Sequence, residues 1–153
     1  MPDKILDTRD LQKRLEELEG LRNALQSAIA ELDAHKLKER PEDEDGQDEY
    51  DDDMLDLERA VNDCHLDFGE EEESELAELE TMRDEISEWR HGETLIRDDY
   101  FEDYAMQLAE DIGIIKRSMP WPTCHIDWAE AASALQMDYS TVDYQGETYW
   151  YRS

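Results

Sequence analysis

Lysine and arginine are scarce in this chain: fifteen of 153 residues, against forty-four aspartates and glutamates, for a formal net charge of −29. Such a surface is repelled by nucleic acid and by anionic membranes, and its natural partners are basic protein surfaces. The basic clusters Lys13-Arg14, Lys36-Lys38-Arg40 and Lys116-Arg117 are too small to reverse that. Cysteine is nearly absent. Cys64 and Cys124 cannot form a disulfide framework, and beside His65 and His125 they lack the two- to four-residue spacing of a zinc site. Long apolar runs are missing too. The longest uncharged run, "SMPWPTCHI", is too short to span a bilayer, and the start "MPDKILDTRD" has no apolar signal core. A cytoplasmic protein is expected. Six glycines and four histidines supply no phosphate-cradling loop, no nucleophile elbow and no His-Glu-x-x-His pattern. Neither an enzyme nor a cofactor or metal is expected.

What is present argues for a fold. Hydrophobic residues make up 39%, including four tryptophans and seven tyrosines, whereas disordered acidic chains are poor in aromatics. The charge is also localised. Residues 1–40 carry net −1 and residues 112–153 net −2, while residues 41–111, with thirty acidic and four basic residues, carry −26.

Leu11, Leu18, Leu25 and Leu32 recur every seven residues, with Leu15, Leu21, Ala28 and Ile29 filling the stripe. This coiled-coil-like seam predicts one long helix, capped by Asp7 or Thr8, weakened at Gly20 and stopped at Arg40-Pro41. The seam packs internally against another helix or, alternatively, makes a homodimer. A loop is expected at about residues 41–51. A helix then carries Met54, Leu57, Val61 and His65 on one side, and Gly69 is read as its left-handed stop. The next helix opens on Glu70, Glu71, Glu72 and Glu73, where the helix dipole favours anions, and runs through Leu79, Met82, Ile86 and Trp89 to Gly92. Residues 1–92 thus read as an acidic helical hairpin or bundle.

Residues 93–153 read as a second, smaller domain. Tyr100, Phe101, Tyr104, Leu108 and Ile112 form one face of a helix ending at Gly113. Pro120 and Pro122 mark a turn about Trp121. "HIDWAEAASALQM" reads as a short helix capped by Asp127, with Glu130 in capping-box position. Strand signals occur only at the end, where "YSTVDY" and "ETYWYR" flank the two-residue turn Gln145-Gly146. The expected fold class is α+β, mainly α, closing on a β-hairpin.

The stretch "PEDEDGQDEYDDDMLDLE", residues 41–58, holds eleven acids and no base. A calcium loop centred on Gly46 would need a ligand where Pro41 stands and a bidentate glutamate where Asp52 stands, so the frame fails at both ends. A surface shaped like a phosphate backbone fits better. Duplex DNA carries about one charge per 1.7 Å, so −26 matches roughly 44 Å, or about thirteen base pairs. Carboxylates three or four residues apart on a helix lie roughly 5–6 Å from one another. On this reading Asp43, Asp45, Asp48, Glu49, Asp51, Asp52, Asp53, Asp56 and Glu70 to Glu73 are phosphate mimics that bind a basic groove. The competing class is an acidic interaction module or chaperone for basic, histone-like proteins, which a disordered acidic tract would favour.

The stretch "RDDYFEDYAMQLAEDIG", followed by "IDWAEAASALQMDYSTVDYQGETYWYR", resembles the C-terminal part of the ArdA-type antirestriction proteins, DNA mimics carried by plasmids, transposons and phages. The resemblance covers residues 97–152. It implies an acidic, often dimeric inhibitor that occupies the DNA site of type I restriction–modification enzymes in an infected or host bacterium, by protein–protein interaction. In matching positions Asp98, Asp99, Glu102, Asp103, Glu110 and Asp111 would stand in for phosphates, while Asp127, Trp128, Asp138 and Tyr139 would be framework. That family begins with a mixed α/β region, where this chain has a leucine-striped helix and an acidic tract. The target class therefore extends to CRISPR effectors, making an anti-CRISPR role the variant reading.

Overall fold

The structure is a computed structural model that describes residues 3–116 and 121–153. It is mainly helical, α+β, with one small antiparallel sheet. In chain order the elements are β1 (Ile5–Asp7), α1 (Thr8–Lys36), α2 (Glu44–Asp67), α3 (Glu70–Glu85), β2 (Thr94–Arg97), α4 (Phe101–Asp111), α5 (Trp128–Gln136), β3 (Tyr139–Tyr144) and β4 (Glu147–Arg152). Among the described residues no helix is long and apolar enough to cross a membrane.

Contacts divide the chain into two compact units, Met1–Lys13 with Glu78–Ser153, and Arg14–Ala77. This differs from a cut near residue 92. The cause is β1, which pairs antiparallel with β2 through Ile5–Ile96, Leu6–Leu95 and Asp7–Thr94, and so joins the N-terminus to the C-terminal part.

In the first unit the sheet order is β1-β2-β4-β3, with every pairing antiparallel. On one sheet face Ile96 and Trp150 meet Phe101 and Ala105 of α4 and Ala132 and Leu135 of α5. Phe101 makes an edge contact with Tyr139 at 5.3 Å between ring centroids. Leu95, Val142, Tyr149 and Tyr151 point to the opposite face and are buried as well. The hairpin turn lies at Gln145-Gly146, where both residues have positive φ, 50° and 78°, as a two-residue turn matched to strand twist requires. Asp127 caps α5 by accepting from the Glu130 amide at 3.1 Å.

The second unit is helical. The stripe of α1 supplies Leu15, Leu18 and Leu32 to its interior, α2 supplies Val61, and Phe68 and Leu76 follow. Arg14 grips Glu75 with two hydrogen bonds, 3.2 and 2.9 Å. His35 is buried and stacks on Tyr50 at 4.4 Å, and the Tyr50 hydroxyl donates to the His35 carbonyl at 3.3 Å.

Several element ends depart from the expectations. The first helix stops at Lys36, four residues before Arg40-Pro41. The loop that follows is shorter than 41–51, because the Asp43 carboxylate accepts from the Gly46 amide at 2.8 Å and starts α2 at Glu44. Gly69 lacks the left-handed conformation; α2 ends at Phe68, and the Gly69 amide donates to Glu72 at 3.0 Å instead. The third helix ends at Glu85, so buried Trp89 sits on a turn, and Gly92 at φ +95° leads into β2. Gly113, at φ +80°, does close α4. Strands β1 and β2 have no counterpart in the sequence reading. The turn expected at Pro120 and the cation Arg117 lie outside the described residues.

Candidate functional site

The densest charge rides on α2, and its capping chemistry explains why so repulsive a sequence is helical. Asp43 satisfies an amide of the first turn, and Glu44 and Asp45 sit where the helix dipole attracts anions. Tyr50, Met54, Leu57, Val61 and Cys64 recur at four- and three-residue steps and form the inward side, each half-buried or buried. The acids lie on the remaining arc, together with Leu55, Arg59, Asn62 and Leu66. The helix therefore sorts its residues by solvation and keeps its carboxylates in water.

Eleven carboxylates and one arginine lie on these twenty-four residues. At 1.5 Å rise per residue α2 is about 36 Å long, which spaces its net charge at roughly one per 3.6 Å. One strand of B-DNA carries a phosphate about every 3.4 Å. Glu58, Asp63 and Asp67 contribute to this row although they lie apart from the consecutive acids. The signal for them was the helical pitch continuing past Asp56.

Of the eighteen carboxylates picked from sequence, sixteen are exposed; Glu72 and Glu110 are half-buried. Exposure does not make all of them available. The Arg40 guanidinium grips Asp51 at 3.2 and 2.6 Å, and that hydrogen-bonded pairing lowers the Asp51 pKa. Arg97 does the same to Asp99, with one contact at 2.9 Å. The indole of Trp150 donates to Asp98 at 2.8 Å, and the Gln107 amide donates to Asp111 at 2.9 Å. Asp43 and Glu72 serve as helix-end acceptors, and Asp56 lies 3.9 Å from Arg59. Glu110 also has an interaction within the chain.

Asp45, Asp48, Glu49, Asp52, Asp53, Glu70, Glu71, Glu73, Glu102 and Asp103 have no ion pair or side-chain hydrogen bond among the described residues. Eight of these ten belong to the helical unit, on α2 and the first turn of α3. The other two sit on α4 of the sheet-containing unit. Formal charge follows the same division: residues 14–77 carry −18 and the remaining residues −11. Residues 97–152 thus keep fewer open carboxylates than α2 does.

Basic groups are largely engaged. Lys13 reaches Asp10 at 3.2 Å, Arg14 binds Glu17 and Glu75, and Arg9 chelates Asp7, whose pKa its hydrogen bonds hold down to about 2. Cys64 is half-buried and Cys124 exposed. Among the described residues no group of three or more His, Cys, Asp or Glu is arranged to hold a metal ion. The Gly46-centred calcium frame lies at the start of α2, and its Asp43 oxygen already accepts from the Gly46 amide. Comparison with protein-family models, with curated proteins and with solved structures gives no match for this chain.

Proposed function

We propose that the protein is a non-catalytic DNA mimic that blocks the DNA-binding groove of a bacterial defence enzyme, a type I restriction–modification complex or a CRISPR effector. The observation that carries this reading is the net charge of α2, whose density along the axis is close to that of the phosphates of one DNA strand, on a helix with a packed inner side. Helical support distinguishes it from the chaperone reading, which calls for an acidic tract without regular structure. Steered association with a basic groove is fast and falls steeply with salt.

The test is capture of partners from bacterial lysate on the immobilised protein, followed by elution with duplex DNA. A restriction or CRISPR complex released by DNA is the expected result. Recovery of many unrelated basic proteins that DNA does not release would instead favour the chaperone. Replacing Asp48, Glu49, Asp52 and Asp53 by their amides should weaken capture by about fourfold to several hundredfold, at about 0.2–1 kcal/mol for each exposed pair lost. Affinity measured from 50 to 500 mM NaCl should show a shallower salt slope for this variant.

A further inference from the structure

The solvent side of α2 is not uniformly acidic. Leu55 is 46% exposed and Leu66 83% exposed, and neither belongs to the inward row. Leu55, Arg59, Asn62 and Leu66 follow one another at steps of four, three and four, which places them along one stripe of the helix. The two leucines stand about 16 Å apart along the axis. Asp51 and Glu58 fall on one flank of the stripe, and Asp52, Asp56, Asp63 and Asp67 fall on the other. Arg59 extends toward Asp56 at 3.9 Å, with both side chains largely in solvent. Leu55 and Leu66 thus stand at either end of Arg59 and Asn62, two separate apolar contacts within a border of carboxylates.

A DNA surface offers nothing equivalent to these leucines. We infer that the stripe from Leu55 to Leu66 seats a basic amphipathic helix of a protein partner. The partner's apolar residues lie on the two leucines, and its lysines or arginines face Asp52, Glu58 and Asp63. The commitment to a cationic helix rests on charge complementarity, since carboxylates border the stripe on both sides. It also rests on the period of the stripe, which matches the row of side chains on a facing helix. The inference depends on the mimic reading only in taking the partner to be basic. Its consequence is a salt-resistant share of affinity, because burial of leucine is not screened by ions.

The probe is a pair of helical peptides of equal length and charge, one with leucine on its apolar positions and one with glutamine there. Binding to the full-length protein is measured by fluorescence anisotropy at 0.1 and 0.5 M NaCl. The leucine peptide is expected to bind at both salt concentrations, and the glutamine peptide to lose most of its affinity at the higher one. Leu55→Gln with Leu66→Gln should weaken the leucine peptide by about ten- to a hundredfold at either salt, leaving the salt slope unchanged. Met137→Gln, which alters an equally exposed apolar residue of the other unit, should have no effect. Circular dichroism of the variants checks that α2 remains helical. Equal binding of the two peptides, an effect of Met137→Gln like that of the leucine pair, or unaltered binding by the leucine variants would each overturn the inference. Failure of DNA to release a captured enzyme would undo the mimic reading while leaving these peptide results standing.

Discussion

Thr8 opens α1 with a side chain that is fully buried and holds two distant segments together. Its hydroxyl donates to the Trp89 carbonyl at 2.7 Å and accepts from the Glu93 amide at 2.8 Å, while its own amide donates to the Glu93 carbonyl at 3.0 Å. The Trp89 indole adds a bond to Gln12 at 2.6 Å. Valine fills nearly the same volume but has no hydroxyl, so Thr8→Val leaves one carbonyl and one amide without partners. Each such group costs about 1–3 kcal/mol. Urea denaturation should therefore show a loss of about 2 kcal/mol or more for Thr8→Val and a much smaller loss for Thr8→Ser. Equal losses for both would mean that volume, and not the hydroxyl, is what Thr8 contributes.

Element by element, local chemistry was readable and distant pairing was not. The Asp127 cap with Glu130, the stop at Gly113 and the Gln145-Gly146 turn each depend on a few adjacent residues, and each stands where the pattern places it. Strands β1 and β2 have three and four residues, too few to show alternation, and each acquires its strand character from a partner about ninety positions away. Pro41 and Gly46 suggested a loop because a cap can only be judged once its amide is in place. The β3 strand supports a prediction of its own. Burial, and then the hydrogen bond with Tyr104, pushes the Tyr139 hydroxyl up from 10 to about 12, and burial raises Tyr149 in the same direction. A pKa raised by folding means that the protonated form is the one the fold favours. That stability is whole below about pH 10 and is lost as pH rises from 10 toward 12. Tyr139→Phe removes this linkage, so urea midpoints at pH 8 to 11.5 should fall less steeply for the variant than for the wild type. Parallel curves would show that folding does not shift the Tyr139 pKa.

For the whole molecule, the total charge and its place in the chain were legible from composition alone. Which carboxylates remain open was not, because Arg40, Arg97 and Trp150 reach Asp51, Asp99 and Asp98 only through the folded geometry. A chain at −29 with its isoelectric point near 4.1 repels itself in the compact state. At 10 mM salt the Debye length is about 30 Å, close to the length of α2, so each acid on that helix feels nearly all the others. At 1 M it is about 3 Å, shorter than the roughly 5–6 Å between helical neighbours, and the repulsion is largely gone. If the relief amounts to about 2–3 kcal/mol, the melting temperature should rise by roughly 5–10 °C between those two salt concentrations. Asp48→Asn with Asp52→Asn and Asp53→Asn should reduce that rise while raising the melting temperature at low salt. The same ions weaken association with a basic groove. Stability and binding must therefore move in opposite directions along one salt titration, thermal unfolding read beside affinity for the captured partner. A melting temperature indifferent to salt would mean that the carboxylates of α2 are already screened from one another, and their density would then explain neither the cost to the fold nor the attraction to a partner.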